Sequence, residues 1–214
     1  MDYPNLENSL DISIGQLLPI MQERLMHKSK YHGIQTWKNP IDFWVYQEII
    51  FDIKPDLIIE IGLHRGGSTL ALAHMLDRNE NGRILGIDLS LSLIDEQVRN
   101  HDRISLIEGN PLELFEKVNQ YISPDSTVLI IEDSSHEYEN TLAVLNMYGS
   151  LVSENSFFIV EDGICYHGLD VGPKPGPYEA VHDFIKGNEN FIIDRSKEDF
   201  LLTWNPCGFL KRIN

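Results

Sequence analysis

The sequence is poor in cysteine. Its 214 residues contain two, Cys165 and Cys207, and no C-x-x-C spacing. Two isolated cysteines build neither a disulfide framework nor a zinc site of paired thiolates, so a reducing compartment fits this composition best. The hydrophobic fraction of 42% is sufficient for a substantial core without such crosslinks.

Long hydrophobic runs and basic residues are also scarce. No stretch approaches the ~18 apolar residues that cross a bilayer, and Met1–Ser9 carries acids where a signal peptide has a basic n-region and an apolar h-region. Lys and Arg number 17 against 33 Asp and Glu, a net charge of −16. Part of this acidity serves solubility alone, but its field also repels phosphate backbones and anionic membranes. We expect a cytoplasmic protein with no nucleic-acid or membrane partner.

From Pro55 onward, short apolar runs of β type alternate with longer amphipathic runs, which is typical of βαβ units around a parallel sheet. The predicted strands are Leu57–Ile61, Arg83–Ile87, Ile104–Glu108, Val128–Ile131 and Phe157–Val160, with a closing antiparallel pair at Phe191–Asp194 and Leu201–Trp204. The predicted helices are Ser68–Leu76, Leu93–Asn100, Pro111–Gln120, Glu137–Tyr148 and Tyr178–Lys186. The pattern predicts an α/β domain at residues 55–214, preceded by a helical extension at residues 1–54.

Two helices are predicted in this extension, at Ile12–His27 and Asp42–Phe51. Asp42 follows Pro40 and is a plausible N-cap of the second helix. The segment Tyr31–Lys38 between the helices is too irregular to be core, so we expect it to cover a site or to form a subunit contact.

The first predicted strand runs into a glycine-rich turn, Gly62-Leu-His-Arg65-Gly66-Gly67-Ser68, where an α/β sheet binds nucleotide-like ligands. The turn lacks the lysine of a phosphate-binding loop and the G-x-G-x-x-G of a dinucleotide site. Glu60 lies two positions before the first glycine, where a carboxylate repels a pyrophosphate but suits a ligand with an ammonium group and no phosphate. S-adenosylmethionine is such a ligand.

Two further strand ends favour an adenosine ligand. Asp88 closes the next strand about 20 positions after Gly66, the spacing of a carboxylate that binds ribose hydroxyls. Asn110 follows the third strand, where a side chain can reach the adenine edge. The alternative is that Glu60 and Asp88 merely cap the turns that follow them.

Carboxylates also end the fourth and fifth predicted strands. Asp133 follows the fourth strand, and Glu161 and Asp162 follow the fifth, so parallel strands bring all three to one edge of the sheet. Clustered carboxylates repel each other unless a cation lies between them, and hard oxygen ligands favour Mg²⁺, with Mn²⁺ or Ca²⁺ as alternatives. A hydroxyl bound to such an ion has a lowered pKa and a fixed orientation.

His136 lies three residues beyond Asp133 and can accept the proton of that hydroxyl, since its ordinary pKa is ~6.5. A water molecule or a carboxylate is the alternative base. Asp133 can instead be the N-cap of the next helix, with His136 in its first turn.

At these residues the sequence resembles the cephalosporin hydroxylase and rhamnosyl O-methyltransferase family. The resemblance extends from about Tyr31 to Arg212. It rests on Tyr31-x-Gly33, Lys38-x-Pro40-x-Asp42, Gln47-Glu48, Pro55-Asp56-x-Ile-Ile-Glu60-x-Gly62, Gly66-Gly67-Ser68, Gly86-Ile-Asp88, Asp133-Ser-x-His136, Val160-Glu161-Asp162 and Asn205-Pro-x-Gly208-Phe-Leu-Lys-Arg212.

The resemblance implies a Rossmann-like methyltransferase fold with helices on both faces of the sheet, and a homo-oligomer. It also implies S-adenosylmethionine bound at Glu60, Gly62, Ser68 and Asp88, and Mg²⁺ held by Asp133, Glu161 and Asp162. The chain departs from the family pattern at Glu132, where an apolar residue is usual, and at Asn110, where an acid or Ser is common.

We interpret the chain as a metal-dependent O-methyltransferase that acts on a hydroxyl of a sugar or a glycosylated small molecule. The loop Gly163–Pro177, with Cys165, Tyr166 and His167, is expected to form an acceptor pocket or lid. A non-haem iron oxygenase is disfavoured because no His-x-Asp or His-x-Glu tripeptide occurs. Two alternatives stay open: a catalytically silent, cofactor-binding accessory subunit, and a nucleotide-dependent reductase.

Overall fold

The computed structural model describes residues 5–214 of the chain. Residues 1–4 of the segment Met1–Ser9 considered above lie outside the described part. The helices are α1 (Ile14–Lys28), α2 (Pro40–Ile53), α3 (Gly67–Asn79), α4 (Glu96–Arg99), α5 (Pro111–Asn119), α6 (Tyr138–Tyr148) and α7 (Pro177–Gly187). The strands are β1 (Lys30–Tyr31), β2 (Ile34–Gln35), β3 (Leu57–Ile61), β4 (Arg83–Asp88), β5 (Ile104–Glu108), β6 (Val128–Glu132), β7 (Phe157–Val160), β8 (Phe191–Ile193) and β9 (Phe209–Arg212).

The central sheet has seven strands in the order β5-β4-β3-β6-β7-β9-β8. The first five of these strands are parallel, and β9 is antiparallel to both of its neighbours. The predicted Rossmann-like sheet with an antiparallel closing element is confirmed. The strands β3, β4 and β5 follow one another toward one edge of the sheet, whereas β6 and β7 lie on the other side of β3. The boundary between β3 and β6 is therefore a topological switch point, where ligands bind in open α/β sheets.

Helices cover both faces of this sheet, so its central strands β3, β6 and β7 are apolar except for Glu60 and Glu132. In β3, Ile59 packs toward α6 and α7, while its neighbour Ile58 packs toward α2 and α3. Both side chains are fully buried. Successive strand residues point to opposite faces, so Glu60 lies on the α2 and α3 side. The division at residue 54 remains a prediction, although α2 packs on the sheet through Tyr46 and Ile49.

The predicted position of the last strand was wrong. β8 pairs with Phe209–Arg212 and not with Leu201–Trp204. Leu201 is 82% exposed and has a positive φ of 65°, which ends extended pairing. Trp204 instead packs its ring against Leu18 and Leu25 of α1. The segment therefore joins α1 to the domain, and the buried Phe209 opens the true edge strand.

Two helix starts also differ from the prediction. Asn39, not Asp42, is the N-cap of α2, because its side chain accepts a hydrogen bond from the Ile41 amide at 3.2 Å. The predicted helix Leu93–Asn100 is a 3₁₀ turn at Leu91–Leu93 followed by the single turn of α4. Asp95 caps that turn by accepting from the Gln97 amide at 3.0 Å, which separates the two pieces.

The segment Tyr31–Lys38 is more ordered than its sequence suggested. β1 and β2 form a hairpin, and the chain continues across the sheet edge as a strap, the name used here for residues 34–38. Ile34, Thr36 and Lys38 of this strap are buried. Within residues 5–214, no helix combines the length and the apolar composition that crossing a membrane requires.

Candidate functional site

A cavity of about 750 Å³ lies at the carboxyl ends of β3, β4 and β6. Its wall includes α1, the strap, the glycine-rich turn after β3, the loops that follow β4, β5, β6 and β7, and Trp204. The predicted residues that line it are Gly62, Gly67, Ser68, Asp88, Asn110, Asp133, His136 and Asp162. Glu60, Arg65, Gly66 and Glu161 are not part of its wall, and Arg65 lines a separate surface depression.

Close backbone contacts explain two glycines of the turn. A Cβ on Gly62 would lie 2.0 Å from the Asp133 carbonyl oxygen, and Gly62 has a positive φ of 89°. A Cβ on Gly67 would lie 1.9 Å from the Thr36 Oγ1 atom of the strap. No side chain fits at either position. The glycines therefore let the turn approach the loop after β6 on one side and the strap on the other.

Asp88 holds the turn in place. Its Oδ2 atom accepts hydrogen bonds from the amides of Leu63 at 2.7 Å and His64 at 3.1 Å, and its Oδ1 atom accepts from Ser90 at 3.1 Å. A carboxylate has about four acceptor sites, so one remains for a ligand hydroxyl. The capping role and the ligand role considered for Asp88 are therefore compatible.

Asn110 also serves the fold. Its Oδ1 atom accepts from the Leu112 amide at 3.0 Å, which makes it the N-cap of α5, while the residue still borders the cavity. Glu132, where the chain departs from the family pattern, is fully buried beneath the site. It accepts from the amide and the hydroxyl of Ser134. This bonding fixes the loop that carries Asp133.

Glu60 lies beneath the turn and is fully buried. Neither of its carboxylate oxygens forms a hydrogen bond of good geometry with residues 5–214. Burial raises its pKa, while the charge of Lys38 and the nearby hydroxyls of Ser68 and Thr69 oppose that rise. A buried acid with free acceptors beside the turn fits a ligand that brings its own positive charge.

The acidic centre comprises Asp133, Glu161 and Asp162 together with His136. Asp133, His136 and Asp162 each offer one donor atom, and these three atoms lie within 4.8 Å of one another. His136 Nε2 is 3.3 Å from Asp162 Oδ2, and His136 Nδ1 is 4.0 Å from Asp133 Oδ1. The centre therefore forms at the predicted edge, with a histidine among the grouped donors.

Lys38 of the strap supplies a cation to the same centre. Its ammonium group forms ion pairs with Asp133 Oδ2 and, at 2.7 Å, with Glu161 Oε2, and the side chain is 7% exposed. Burial opposes its charge, but the attraction of Asp133, Glu161 and Glu60 outweighs burial and raises the Lys38 pKa. Burial and the charge of Asp133 raise the Glu161 pKa well above its ordinary value, against the opposing charge of Lys38.

The donors of the acidic centre fit a divalent ion. His136 Nδ1 and Glu161 Oε1 are buried and lack a hydrogen-bond partner within residues 5–214, as groups prepared for a cation do. The two carboxylates are the oxygen ligands that Mg²⁺ and Mn²⁺ prefer, while the imidazole is a donor more typical of a transition ion. Lys38 pairs with one oxygen of both Asp133 and Glu161. Glu161 differs from the other two predicted ligands because it does not line the cavity and is not among the three grouped donors.

The acceptor side of the cavity is mainly apolar. The loop Gly163–Pro177 contributes Ile164 and Cys165 to the wall, and α1 contributes Leu25 and Met26. Burial raises the pKa of the Cys165 thiol to about 11, so it stays protonated. Tyr166 and His167 point elsewhere: neither lines the cavity, and His167 Nε2 bonds Glu179 at 2.9 Å.

We expected Tyr31–Lys38 to cover a site or to form a subunit contact, and the strap does line the cavity, but the role of Lys38 was not predicted. Lys38 was part of the Lys-x-Pro-x-Asp run that carried the resemblance, but it received no role at the site. The Trp37 ring stacks on the His64 ring at 4.1 Å, and its Nε1 atom donates to the Met26 carbonyl at 3.0 Å. The feature of the sequence that could have indicated this role is the pair Trp37-Lys38 directly before the N-cap of α2.

Comparisons with known proteins agree with this geometry. The family model for "Rhamnosyl O-methyltransferase/CmcI" matches residues 23–213. The chain is 31% identical over 195 residues to a rhamnosyl O-methyltransferase of Mycobacterium bovis, covering 86% of this chain and 78% of that protein. It is 31% identical over 192 residues to a Mycobacterium leprae protein of the same name, covering 84% and 81%.

Solved structures share the fold. A structure of cmcI with Mg and SAM aligns with a TM-score of 0.69 at 20% identity, covering 87% of this chain and 77% of that one. At such identity the likeness shows the fold alone, and it confirms the predicted architecture.

Proposed function

Because the chain belongs to the rhamnosyl O-methyltransferase/CmcI family, we propose that it transfers the methyl group of S-adenosylmethionine to a hydroxyl of a sugar or a glycosylated small molecule, with a divalent ion at the acidic centre. One observation carries this proposal. The glycine-rich turn and the acidic centre open into the same cavity, so a methyl donor at the first lies beside an oxygen held at the second.

The charges around the cavity favour a sulfonium donor over a dinucleotide. Among the residues that line it, Lys38 is the single Lys or Arg, and its ammonium group is already paired with carboxylates. A pyrophosphate would therefore meet Asp88, Asp133 and Asp162 without a free cation, which argues against the reductase. Solved structures of related fold were obtained with SAM or SAH, in agreement with this choice.

For the donor, we assign binding roles according to position. The turn from Gly62 to Ser68 presents backbone amides at the start of α3, Asp88 keeps one acceptor site for a ribose hydroxyl, and Asn110 stands at the far wall. Glu60 supplies buried negative charge beneath the turn and attracts the ammonium and sulfonium groups. Arg65 and Gly66 shape the turn from outside the cavity.

Asp133 and Asp162 would hold the ion, with Glu161 kept beside them by Lys38 and His136 left free to act as a base. A bound Mg²⁺ would lower the pKa of the acceptor hydroxyl and orient its oxygen. His136 can donate through Nε2 to Asp162, which leaves the lone pair of Nδ1 to take the hydroxyl proton. The methyl group then passes from sulfur to oxygen, the S–C bond breaks as the O–C bond forms, and a neutral thioether remains.

The walls of the acceptor side suit a molecule with an apolar body. Leu25, Ile164 and Leu169 lie there with Trp204, whose indole Nε1 donates to Gln22 at 2.6 Å. Aromatic and aliphatic walls cover the C–H faces of a sugar, while a few polar groups fix its hydroxyls. The rhamnosyl acceptor implied by the names of the relatives fits this division.

The proposal is tested by titration calorimetry with S-adenosylmethionine and by transfer of labelled methyl groups to a panel of rhamnosides, each with Mg²⁺ or with EDTA. We expect cofactor binding in all cases and transfer only with the ion. Asp133→Asn should lower transfer by at least 100-fold, while Asp170→Asn in the exposed part of the adjacent loop should leave it unchanged.

The same measurements separate the accessory-subunit alternative from the enzyme. Tight cofactor binding with no ion-dependent transfer to any acceptor of the panel would favour the accessory subunit. Binding of NADPH in place of S-adenosylmethionine would instead favour the nucleotide-dependent reductase.

A further inference from the structure

We infer that the outer face of α3 carries a second metal site, for a transition ion such as Zn²⁺, formed by His74, Asp77 and His101. These residues offer three donor atoms within 4.8 Å of one another. The site is separate from the acidic centre, since His74 lies seven residues beyond Gly67, about 10 Å along the helix.

The arrangement follows from local structure. His74 and Asp77 are three residues apart on α3 and so share one face of the helix. His101 lies between α4 and β5 and reaches the same face, with its Nε2 atom 3.2 Å from Asp77 Oδ2. Ligands of a tetrahedral zinc ion stand about 3.4 Å apart, so donors that are up to 4.8 Å apart must move closer to bind one.

Surrounding groups orient the donors. The Tyr31 hydroxyl lies 2.9 Å from His74 Nδ1, and when Nδ1 carries the proton, Nε2 is left free to bind an ion. Arg103 Nε donates to the other oxygen of Asp77 at 2.6 Å and fixes that carboxylate. Two contacts must be given up when His101 Nε2 becomes the ligand. They are its own hydrogen bond with Asp77 Oδ2 at 3.2 Å and the long hydrogen bond at 3.3 Å that the Arg103 amide donates to His101 Nδ1.

A third imidazole stands beside the site. The His32 ring is 5.0 Å from the His74 ring, and His32 occupies the hairpin turn with a positive φ of 47°. Burial and the neighbouring His32 and His101 lower the His74 pKa. Imidazole donors select Zn²⁺, Co²⁺, Ni²⁺ or Cu²⁺ over Mg²⁺.

An ion here would join α3 to the segment between α4 and β5, and the Tyr31 hydroxyl on His74 Nδ1 ties the hairpin to the same imidazole. α3 begins at the glycine-rich turn, and the hairpin with Tyr31 and His32 leads directly into the strap. Fixing the hairpin against α3 would therefore stiffen the contact between Thr36 and Gly67 at the cavity. We assign the ion a structural role: it would stabilise the glycine-rich turn without contacting the cavity.

The test is equilibrium dialysis of the full chain, without a histidine tag, against Zn²⁺ in excess Mg²⁺. An Asp162→Asn background weakens the acidic centre and isolates the second site. We expect this background to retain one Zn²⁺ per chain, and either His74→Asn or His101→Asn to weaken that binding by at least tenfold. The control is His27→Asn, an exposed imidazole at the end of α1.

A second readout covers variants that fold poorly. Co²⁺ added to the Asp162→Asn chain should give visible absorption bands of an imidazole-bound ion, and Zn²⁺ should displace them. The inference is overturned if the Asp162→Asn chain binds no Zn²⁺, or if its binding is the same in folded His74→Asn and His101→Asn variants. A failed methyl-transfer assay would leave it untouched, because dialysis requires no turnover.

Discussion

At the scale of single residues, Lys38 decides the charge balance of the site. Its ammonium group faces Asp133 and Glu161 in a buried setting, where an unpaired charge is far more costly than at the surface. The ion pair is therefore a requirement for folding without a bound ion. It also sets how strongly the centre attracts a divalent cation, because both cations use the same oxygens.

We predict that Lys38→Met lowers the free energy of unfolding by about 3 kcal/mol in EDTA, since it leaves buried carboxylates without a counter-charge. Millimolar Mg²⁺ should restore much of this loss by occupying the centre. Urea denaturation with and without Mg²⁺ measures both effects, with exposed Lys117→Met as the matched control. Equal stability of Lys38→Met and the parent chain in EDTA would contradict the assignment.

Asp42 gives a pH-dependent prediction. Burial raises its pKa from 3.8 to about 6, despite hydrogen bonds from Trp204 and Asn39. The folded chain thus binds this proton more tightly than the unfolded chain. The contribution of Asp42 to stability is therefore fully present below about pH 4 and is lost as the pH rises to about 6.

The side chain in Asp42→Asn cannot ionise, and its amide oxygen can still accept the hydrogen bonds from Trp204 and Asn39. Compared with the parent chain, it should unfold with a free energy that is higher by up to about 3 kcal/mol at pH 7, and by little at pH 4. Urea denaturation at several pH values measures this difference. A constant difference between pH 4 and pH 7 would show that Asp42 does not titrate as described.

At the scale of elements, the strap and the glycine-rich turn form one contact. Gly67→Ala should shift the turn, because the new Cβ would meet Thr36 Oγ1 at 1.9 Å. We expect affinity for S-adenosylmethionine to fall by at least tenfold. Thr36→Ala removes that oxygen and loses one hydrogen bond, to the Ile34 carbonyl at 2.9 Å, so alone it should have a small effect.

The double variant Gly67→Ala, Thr36→Ala tests the contact itself. It should recover most of the affinity lost by Gly67→Ala, as expected for two groups that interact directly. Calorimetric titration of the four proteins completes the cycle. Additive losses would mean that Gly67 is required for the ligand and not for the strap.

The elements that could be predicted were those with an unambiguous pattern. β3, β5 and β7 begin and end where the predicted runs do. Both faces of β3 and β7 are covered, whereas β5 is the edge strand and is only partly buried. The closing strand could not be placed from periodicity, since Leu201-Leu-Thr-Trp204 and Phe209-Leu-Lys-Arg212 are equally short. Only the pairing of Phe209 with β7 distinguishes them.

The residues of the site also fall into those that the sequence could bring together and those that it could not. Asp133 and Asp162 could be brought together because parallel strands end at one edge of a sheet. The approach of Lys38 could not, because it depends on how a segment ahead of the domain crosses that edge. The grouping of His136 with the two aspartates depends on a loop backbone with a positive φ of 59°, which no periodic pattern reveals.

At the scale of the whole molecule, a ligand that binds only the folded chain raises its stability. S-adenosylmethionine at 100 times its Kd should add about 2.7 kcal/mol. For a chain of this size, that corresponds to an increase in Tm of about 5–10 °C. Differential scanning calorimetry measures the shift, and Mg²⁺ should add to it in the parent chain but not in Asp162→Asn. The same Mg²⁺ increment in both proteins would place the ion elsewhere.

The homo-oligomer remains a prediction at this scale. Sedimentation of the full chain with and without the cofactor decides between a monomer and an assembly. Because the net charge is −16, association should strengthen as salt screens repulsion between copies.

The close backbone contact at Gly62 limits which parts of the cavity can change in sequence. A Cβ on Gly62 would lie 2.0 Å from the Asp133 carbonyl oxygen. The glycine-rich turn and the acidic centre are therefore in direct backbone contact, and a substitution that shifts one displaces the other. The walls formed by Ile164, Leu169 and α1 pack on one another through side chains, so substitutions among these side chains leave that backbone contact in place. New acceptors are therefore acquired by changing those walls, while the methyl-transfer machinery beneath them stays as it is.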